Sequence, residues 1–264
     1  MTDILVASDV SKTYFDAVAK DDVVALSGVS LSVAAHDFVS VIGPSGCGKS
    51  TFLRIVAGLD TPTSGEIRVS GKRVSGPGAD RGMVFQEYAL LPWKTTAANV
   101  EFGPRLKGTP AQERRAVAQR FIDLVGLKGF ENKYPHQLSG GMRQRAAVAR
   151  VLANNPAVLL MDEPFAAVDA MTRQRLQEEL TAITASERTT VLFVTHAIEE
   201  AVFLSNRVVA LSGRPGRIIA DIRIDLPRPR RWEDLVRDPR FIAYRDELTQ
   251  CIHGGTPPTR KEHV

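Results

Sequence analysis

Only two cysteines, Cys47 and Cys251, occur in 264 residues, which excludes a disulfide framework, and neither has the company that a metal site requires. Such sparing use of thiols fits a reducing compartment. Long hydrophobic runs are also missing: no stretch approaches the roughly eighteen apolar residues of a membrane span. The opening MTDILVASDV lacks the basic segment of a signal peptide. A soluble, cytoplasmic chain is expected. No internal repeat or low-complexity segment occurs, and a net charge of +4 is poor support for nucleic acid as a partner. The basic residues concentrate instead in PRPRRWEDLVRDPR, residues 227–240, expected to form a solvated or membrane-proximal surface. What the chain does have is 44% hydrophobic content, enough for one large α/β domain or two small ones.

Apolar runs of strand length occur at 38–42, 82–85, 157–161, 189–194 and 207–211, separated by helical patterns. That order implies a parallel sheet with helices on both faces. Looser alternation over 24–33 and 65–74, the second with a Ser-Gly turn, predicts antiparallel strands flanking this core. Between Phe85 and Ala157 the strands stop, and 111–125 and 140–153 have helical patterns. The expected fold class is therefore α/β, a parallel-sheet core with an antiparallel β subdomain and an inserted α-helical subdomain. Residues 1–86 with 156–225 would form the core, 87–155 the helical insertion and 226–264 an extension too short for a typical regulatory domain. The closing GGTPPTRKEHV is expected to fray.

Directly after the run Phe38 to Ile42 comes GPSGCGKST: Gly43, Pro44, Ser45, Gly46, Cys47, Gly48, Lys49, Ser50 and Thr51. Glycine and proline between a strand and a helix are common turn punctuation. This stretch also fits G-x-x-x-x-G-K-[ST], with a strand before it and, from Lys49 to Ala57, a short helix stopped by Gly58. Backbone N–H groups can turn inward on an anion only where glycine avoids Cβ clashes, and the helix N-terminus adds its positive dipole end. Lys49 could then reach the β- and γ-phosphates of a nucleoside triphosphate, and the Ser50 hydroxyl could ligate Mg²⁺. Cys47 is either a small filler of this loop or, if exposed, a thiol activated by the helix N-terminus.

A second element, AVLLMDEP, is an apolar strand that delivers Asp162 and Glu163 at its carboxyl end, where open α/β sheets bind ligands. Taken alone it could be a strand-end turn with solvated acids. Beside a phosphate loop, Asp162 is placed to hold Mg²⁺ through its water shell and Glu163 to act as general base on an attacking water. TTVLFVTHA ends another strand in His196, whose imidazole could hydrogen-bond a γ-phosphate. In QLSGGMRQRAAVARVLA, Ser139 is a good N-cap, and Gly140 and Gly141 let a partner approach the backbone of a helix with basic first turns. One nucleotide does not need two such helix N-termini on one subunit. The economical explanation is a head-to-tail homodimer that sandwiches two ATP molecules.

The set GPSGCGKS, Gln86 in VFQ, LSGG, LLMDEP, Asp169 and His196, in this order, resembles the ATP-binding subunit of an ABC transporter over roughly residues 4 to 225. The resemblance implies a RecA-like P-loop NTPase core that binds and hydrolyses Mg-ATP. Within it Gln86 would sense Mg²⁺ and the water, and Asp169 would belong to a loop crossing the dimer interface. Tyr14 matches the aromatic that stacks on adenine, although a tyrosine near a strand is also common in a core or at its rim. The stretches Gly76 to Gly103 and Leu211 to Ile218 resemble importers for nitrate, taurine and aliphatic sulfonates. Leu90-Leu91-Pro92-Trp93 lies where that family docks a permease coupling helix, though such a run also suits an interior turn. Met142 stands where the family often has Gln, and Ala166-Ala167-Val168-Asp169 replaces its Ser/Gly-Ala-Leu-Asp.

What this implies is an ATPase on the cytoplasmic face of the inner membrane that drives uptake of a small anionic solute. It would work through separate transmembrane permease subunits fed by an external solute-binding protein, with no nucleic acid involved. A non-transport ABC ATPase acting on nucleic acid or ribosomes is one rival, but those typically have paired cassettes or coiled-coil arms. A small-molecule kinase is another, and it leaves LSGG, Glu163 and His196 unexplained.

Overall fold

The computed structural model describes residues 3–16, 20–166 and 168–254, so Ala167 and most of the closing GGTPPTRKEHV lie outside the described residues. In chain order, β1 (Asp3–Asp16) and β2 (Asp21–Ala34) lead into β3 (Phe38–Ile42), α1 (Lys49–Ala57), the hairpin of β4 (Ser64–Val69) and β5 (Lys72–Arg73), and β6 (Arg81–Val84). Four helices follow: α2 (Thr96–Val100), α3 (Phe102–Leu106), α4 (Ala111–Leu124) and α5 (Gly140–Leu152). The chain then alternates through β7 (Val158–Asp162), α6 (Ala170–Ser186), β8 (Val191–Val194), α7 (Ile198–Leu204) and β9 (Arg207–Leu211). It closes with β10 (Ile218–Arg223), α8 (Trp232–Leu235) and α9 (Pro239–Ile252).

The fold is α/β, as the patterning predicts. A four-stranded antiparallel sheet has the order β2-β1-β4-β5, and a six-stranded sheet the order β10-β9-β3-β8-β7-β6. In the larger sheet every neighbouring pair is parallel except β9 with β10. All five residues of β3 are buried, because a central parallel strand is covered on both faces. Val39 and Val41 point to the side where α1 lies, packing with Leu53, Ile55 and Val56 of that helix and with Leu26 and Val29 of the antiparallel sheet. Phe38 and Ile42 point the other way, into a core shared with α4 to α9. Helix α1 is thus wedged between two sheets, where each buried Phe or Leu side chain contributes roughly 1.5–3 kcal/mol. Gly58, in the left-handed region with φ 74°, ends it by donating its N–H to the carbonyls of Arg54 and Ile55.

Register puts the site on one edge. Val41 pairs with Val194, Asp162 with Val194 and Val84 with Met161, so β3, β6, β7 and β8 all end at the same carboxyl edge. The phosphate loop, Gln86, the Asp162–Glu163 pair and His196 all leave the sheet there. The loop between β9 and β10 is pinned from behind: Gly216 donates to the Ala25 carbonyl (2.9 Å) and accepts from the Ser27 N–H (3.0 Å). A Cβ on Gly216 would sit 2.1 Å from the Cys47 carbonyl oxygen, so the backbones of β2, this loop and the phosphate loop touch.

The structure departs from expectation in its first strand and in the basic C-terminal stretch. Strand β1 is absent from the sequence reading because register shifts after Ala7, Val10 and Lys12 break its alternation. The basic C-terminal stretch is not simply a solvated or membrane-proximal surface. Arg230 is 5% exposed and donates to the carbonyls of Val202, Phe203, Ser205 and Leu226, while Arg228 donates to that of Leu204. All but the Leu226 carbonyl lie at or just beyond the end of α7, which leaves acceptors that a planar guanidinium fork satisfies. Burial and the neighbouring Arg228 depress the Arg230 pKa to about 10, still leaving it cationic at neutral pH.

Candidate functional site

The chain turns from β3 onto α1 through a loop that has no room for side chains at two of its glycines. A Cβ on Gly43 would lie 2.8 Å from the Leu211 carbonyl oxygen, and one on Gly48 (φ 99°) 2.8 Å from that of Ala25. Ser45 and Gly46 form the exposed tip, and Pro44 and Thr51 are half-buried. The Lys49 ammonium is buried and donates to the carbonyls of Gly43 (2.8 Å) and Pro44 (2.9 Å), so it is held across the loop. Cys47 is 1% exposed within the core around α1. The alternative of an exposed, reactive thiol is therefore corrected; the residue fills space.

Ser50 opens α1 and its hydroxyl donates to Oδ1 of Asp162 at 2.9 Å, joining the phosphate loop to the end of β7. Glu163 follows in the left-handed region (φ 42°), its N–H fixed on the Val194 carbonyl at 2.9 Å. That turn aims its carboxylate at the loop after β8, where Oε2 lies 2.9 Å from Nδ1 of the exposed His196. Burial, with the like charge of Glu163, pushes the Asp162 carboxyl above the usual carboxylate range, while Lys49 and Arg54 oppose this. A hydroxyl beside a desolvated carboxylate with no cation in direct contact is a hard-oxygen donor set that suits Mg²⁺. Among the described residues no cluster of three or more His, Cys, Asp or Glu could hold a metal alone.

A stability prediction arises here. A carboxyl whose pKa rises on folding stabilises the fold below its unfolded pKa, and that contribution is lost as pH rises through the folded value. At neutral pH ionised Asp162 therefore carries a net cost, which Asp162→Asn removes. The nucleotide-free variant is expected to melt roughly 1–3 °C higher than wild type in a thermal scan at pH 7. An unchanged or lower Tm would contradict the electrostatic account.

The remaining predicted residues stand apart. Ser139 caps α5, its hydroxyl accepting from the Met142 N–H at 3.3 Å, and is exposed with Gly140 and Gly141 half-buried behind it. Asp169 caps α6 by accepting from the Thr172 N–H at 3.0 Å, and a Cβ on Gly141 would lie 3.3 Å from the Thr172 methyl. Among the described residues no hydrogen bond or ion pair links 139–142 to 43–51. Tyr14 sits at the rim, 38% exposed, its hydroxyl donating to Asp60 at 2.6 Å. Gln86 is exposed beyond β6, and Trp93 is 70% exposed on a turn tied down by buried Asn99, which bonds Leu91, Lys94 and Thr95.

Behind His196 lies a polar group that sequence reasoning missed. Thr195 donates to Oε2 of Glu200, Gln177 donates to Oε1 at 2.6 Å, and Trp232 donates its indole N–H to Gln177 at 2.9 Å. Burial raises the Glu200 pKa, opposed by these hydrogen bonds. No spacing in the sequence signals the set, because its members come from three separate segments.

A family model described as ABC transporter matches residues 26–166. An uncharacterised ABC transporter ATP-binding protein of Methanocaldococcus jannaschii is 56% identical over 228 residues, covering 86% of this chain and 84% of that protein. A nitrate import ATP-binding protein of Synechocystis sp. is 50% identical over 240 residues, covering 89% and 90%. A solved dimer of the ATP-binding cassette MJ0796, in a post-hydrolysis state bound to ADP and Pi, superposes with a TM-score of 0.71 at 33% identity, covering 84% of this chain and 100% of that one. The chain thus belongs to the ABC transporter family, as one of its ATP-binding, ATP-hydrolysing cassettes.

Proposed function

We propose that two copies of this chain close head to tail around two Mg-ATP and couple hydrolysis to uptake of a small anionic solute, nitrate- or sulfonate-like, through a separate permease. The observation that carries the site reading is the juxtaposition on one sheet edge: Ser50 2.9 Å from Asp162, and Glu163 2.9 Å from His196, beside the phosphate loop. The Ser139 segment lies outside this constellation, which favours its acting on the partner copy's nucleotide. In this reading the amides of 43–51 and the Lys49 ammonium bind the phosphates, and Tyr14 faces adenine. Ser50 and Asp162 would hold Mg²⁺, with Gln86 beside it. Bound there, the ion neutralises phosphate charge and orients the transferring group. Glu163 takes the proton of the attacking water, and His196 steadies that carboxylate and the γ-phosphate. Residues 1–86 and 156–225 are the nucleotide core, 87–155 the subdomain carrying the Ser139 segment, and 226–264 an extension.

The nitrate import relative supports the solute class, and exposed Trp93 beside Leu90 and Leu91 supports docking to a membrane partner. In this reading the cassette works on the cytoplasmic face of the inner membrane, with an external solute-binding protein reached only through the permease and no nucleic acid. Tagged chain captured from detergent-solubilised membranes of its own cells is expected to retain a polytopic permease, and Trp93→Ala to reduce that yield at least about tenfold, as loss of a buried aromatic anchor does. Capture of ribosomes or nucleic acid instead would move the assignment to a non-transport ATPase.

A further inference from the structure

We propose that Trp232, in the C-terminal segment, is a positioning residue for hydrolysis, holding His196 against Glu163 through Gln177, Glu200 and Thr195. The proposal rests on the reading of His196 given above. Its basis is a continuous line of directed bonds. The Thr195 hydroxyl accepts the Ala197 N–H at 3.0 Å, and this contact bends the backbone around His196. Thr195, 2% exposed, has its own proton committed to Glu200, 7% exposed, so the bend is fixed only while Glu200 stays in place. Glu200 is held from its other oxygen by the Gln177 amide, and Gln177 takes the indole N–H of Trp232 on its carbonyl.

Each member is buried, so none can exchange its partner for bulk water at low cost. Donor and acceptor roles run in one sense from Trp232 to Glu200, which makes the line sensitive to loss of any single proton. Trp232 is in turn immobilised. Its ring stacks on Phe203 of α7 at 4.3 Å and 3°, meets Phe241 of α9 edge-on, and its backbone N–H donates to Glu178 of α6. Arg228 and Arg230 fasten the same segment to the end of α7. Helix α7 carries Glu200 near its start and Phe203 near its end, so the segment grips both the helix that follows His196 and the relay inside it. A small cavity of about 50 Å³ bounded by Glu163, Arg173, Thr195, His196 and Glu200 leaves the imidazole room to swing once that grip loosens.

The test measures phosphate release and ATP affinity for full-length Trp232→Phe and Gln177→Met, each alone and combined with His196→Ala. Trp232→Phe keeps an aromatic ring for Phe203 and removes the N–H; Gln177→Met keeps volume and removes both relay bonds. Each is expected to lower kcat about three- to tenfold, the effect of one or two lost hydrogen bonds, with KM for ATP unchanged within about twofold. On the His196→Ala background neither should lower the residual rate further, since residues acting through one group are not additive. Wild-type kcat in both variants, or the same proportional loss with and without His196, overturns the relay. Wild-type turnover by His196→Ala alone instead overturns the reading of His196 on which the relay depends.

Discussion

Glu163→Gln is expected to bind Mg-ATP as wild type does, to accumulate as a closed dimer, and to release phosphate roughly a hundred- to ten-thousand-fold more slowly. The amide keeps the size of the carboxylate and can still meet His196 Nδ1, now 2.9 Å from Oε2. What it loses is the capacity to take a proton. Because Glu163 is fixed in the left-handed region with its N–H on Val194, the substitution has little scope to rearrange the backbone. Asp162→Asn should fail differently. It disturbs the oxygen bonded to Ser50, so nucleotide-driven closure and turnover both weaken, and added magnesium should recover part of each. Size-exclusion chromatography with ATP and magnesium, run beside phosphate release, separates the two. A Glu163→Gln protein with wild-type turnover removes the general base from this position, and one that stays monomeric removes the support for closure.

Mixing two inactive chains should restore activity. Lys49→Ala withdraws charge from the phosphate loop and is expected to weaken ATP binding and abolish hydrolysis. Ser139→Arg adds bulk and charge at the exposed N-terminus of α5, sparing nucleotide binding by the monomer while blocking closure and turnover. If Lys49 of one copy and Ser139 of the other share a nucleotide, a mixed dimer places both lesions in one site and leaves the second intact. Random pairing at equal concentrations makes about half the dimers mixed, so turnover should recover to at most about a quarter of wild type. A mixture that stays as inactive as its components, with mixed dimers demonstrated by cross-linking, would show that both elements serve the nucleotide of one chain.

Much of this site was legible because its chemistry is local. Gly43 to Thr51 is a contiguous run, its strand Phe38–Ile42 and helix Lys49–Ala57 agree with the patterning to the residue, and Asp162 and Glu163 follow an apolar strand. Short-range signals of that kind survive in the sequence because glycine, proline and buried-strand apolarity each act within a few residues. Strand β1 was not legible, since its bulges interrupt the alternation that marks a strand. Nor was the inward turn of Arg230. A basic run has the same composition whether its guanidiniums meet water or the end of a helix, and only the position of α7 decides between them. Gln177, Glu200 and Trp232 belong to the same class: ordinary residues for a helix or a surface, given a role by contacts across tens of positions.

The contact of Gly216 with Cys47 makes nucleotide binding a check on assembly. The phosphate loop rests on a backbone junction to which the antiparallel sheet, through Ala25 and Ser27, and the β9–β10 loop both contribute. A chain with the correct parallel sheet but a slipped β2 lacks that rest and cannot present its amides in register. ATP then rewards only molecules in which both sheets are in place, by about 2.7 kcal/mol at a ligand concentration a hundred times Kd. Where ATP is abundant, the ligand that the cassette consumes is thus expected to favour correctly assembled molecules as well.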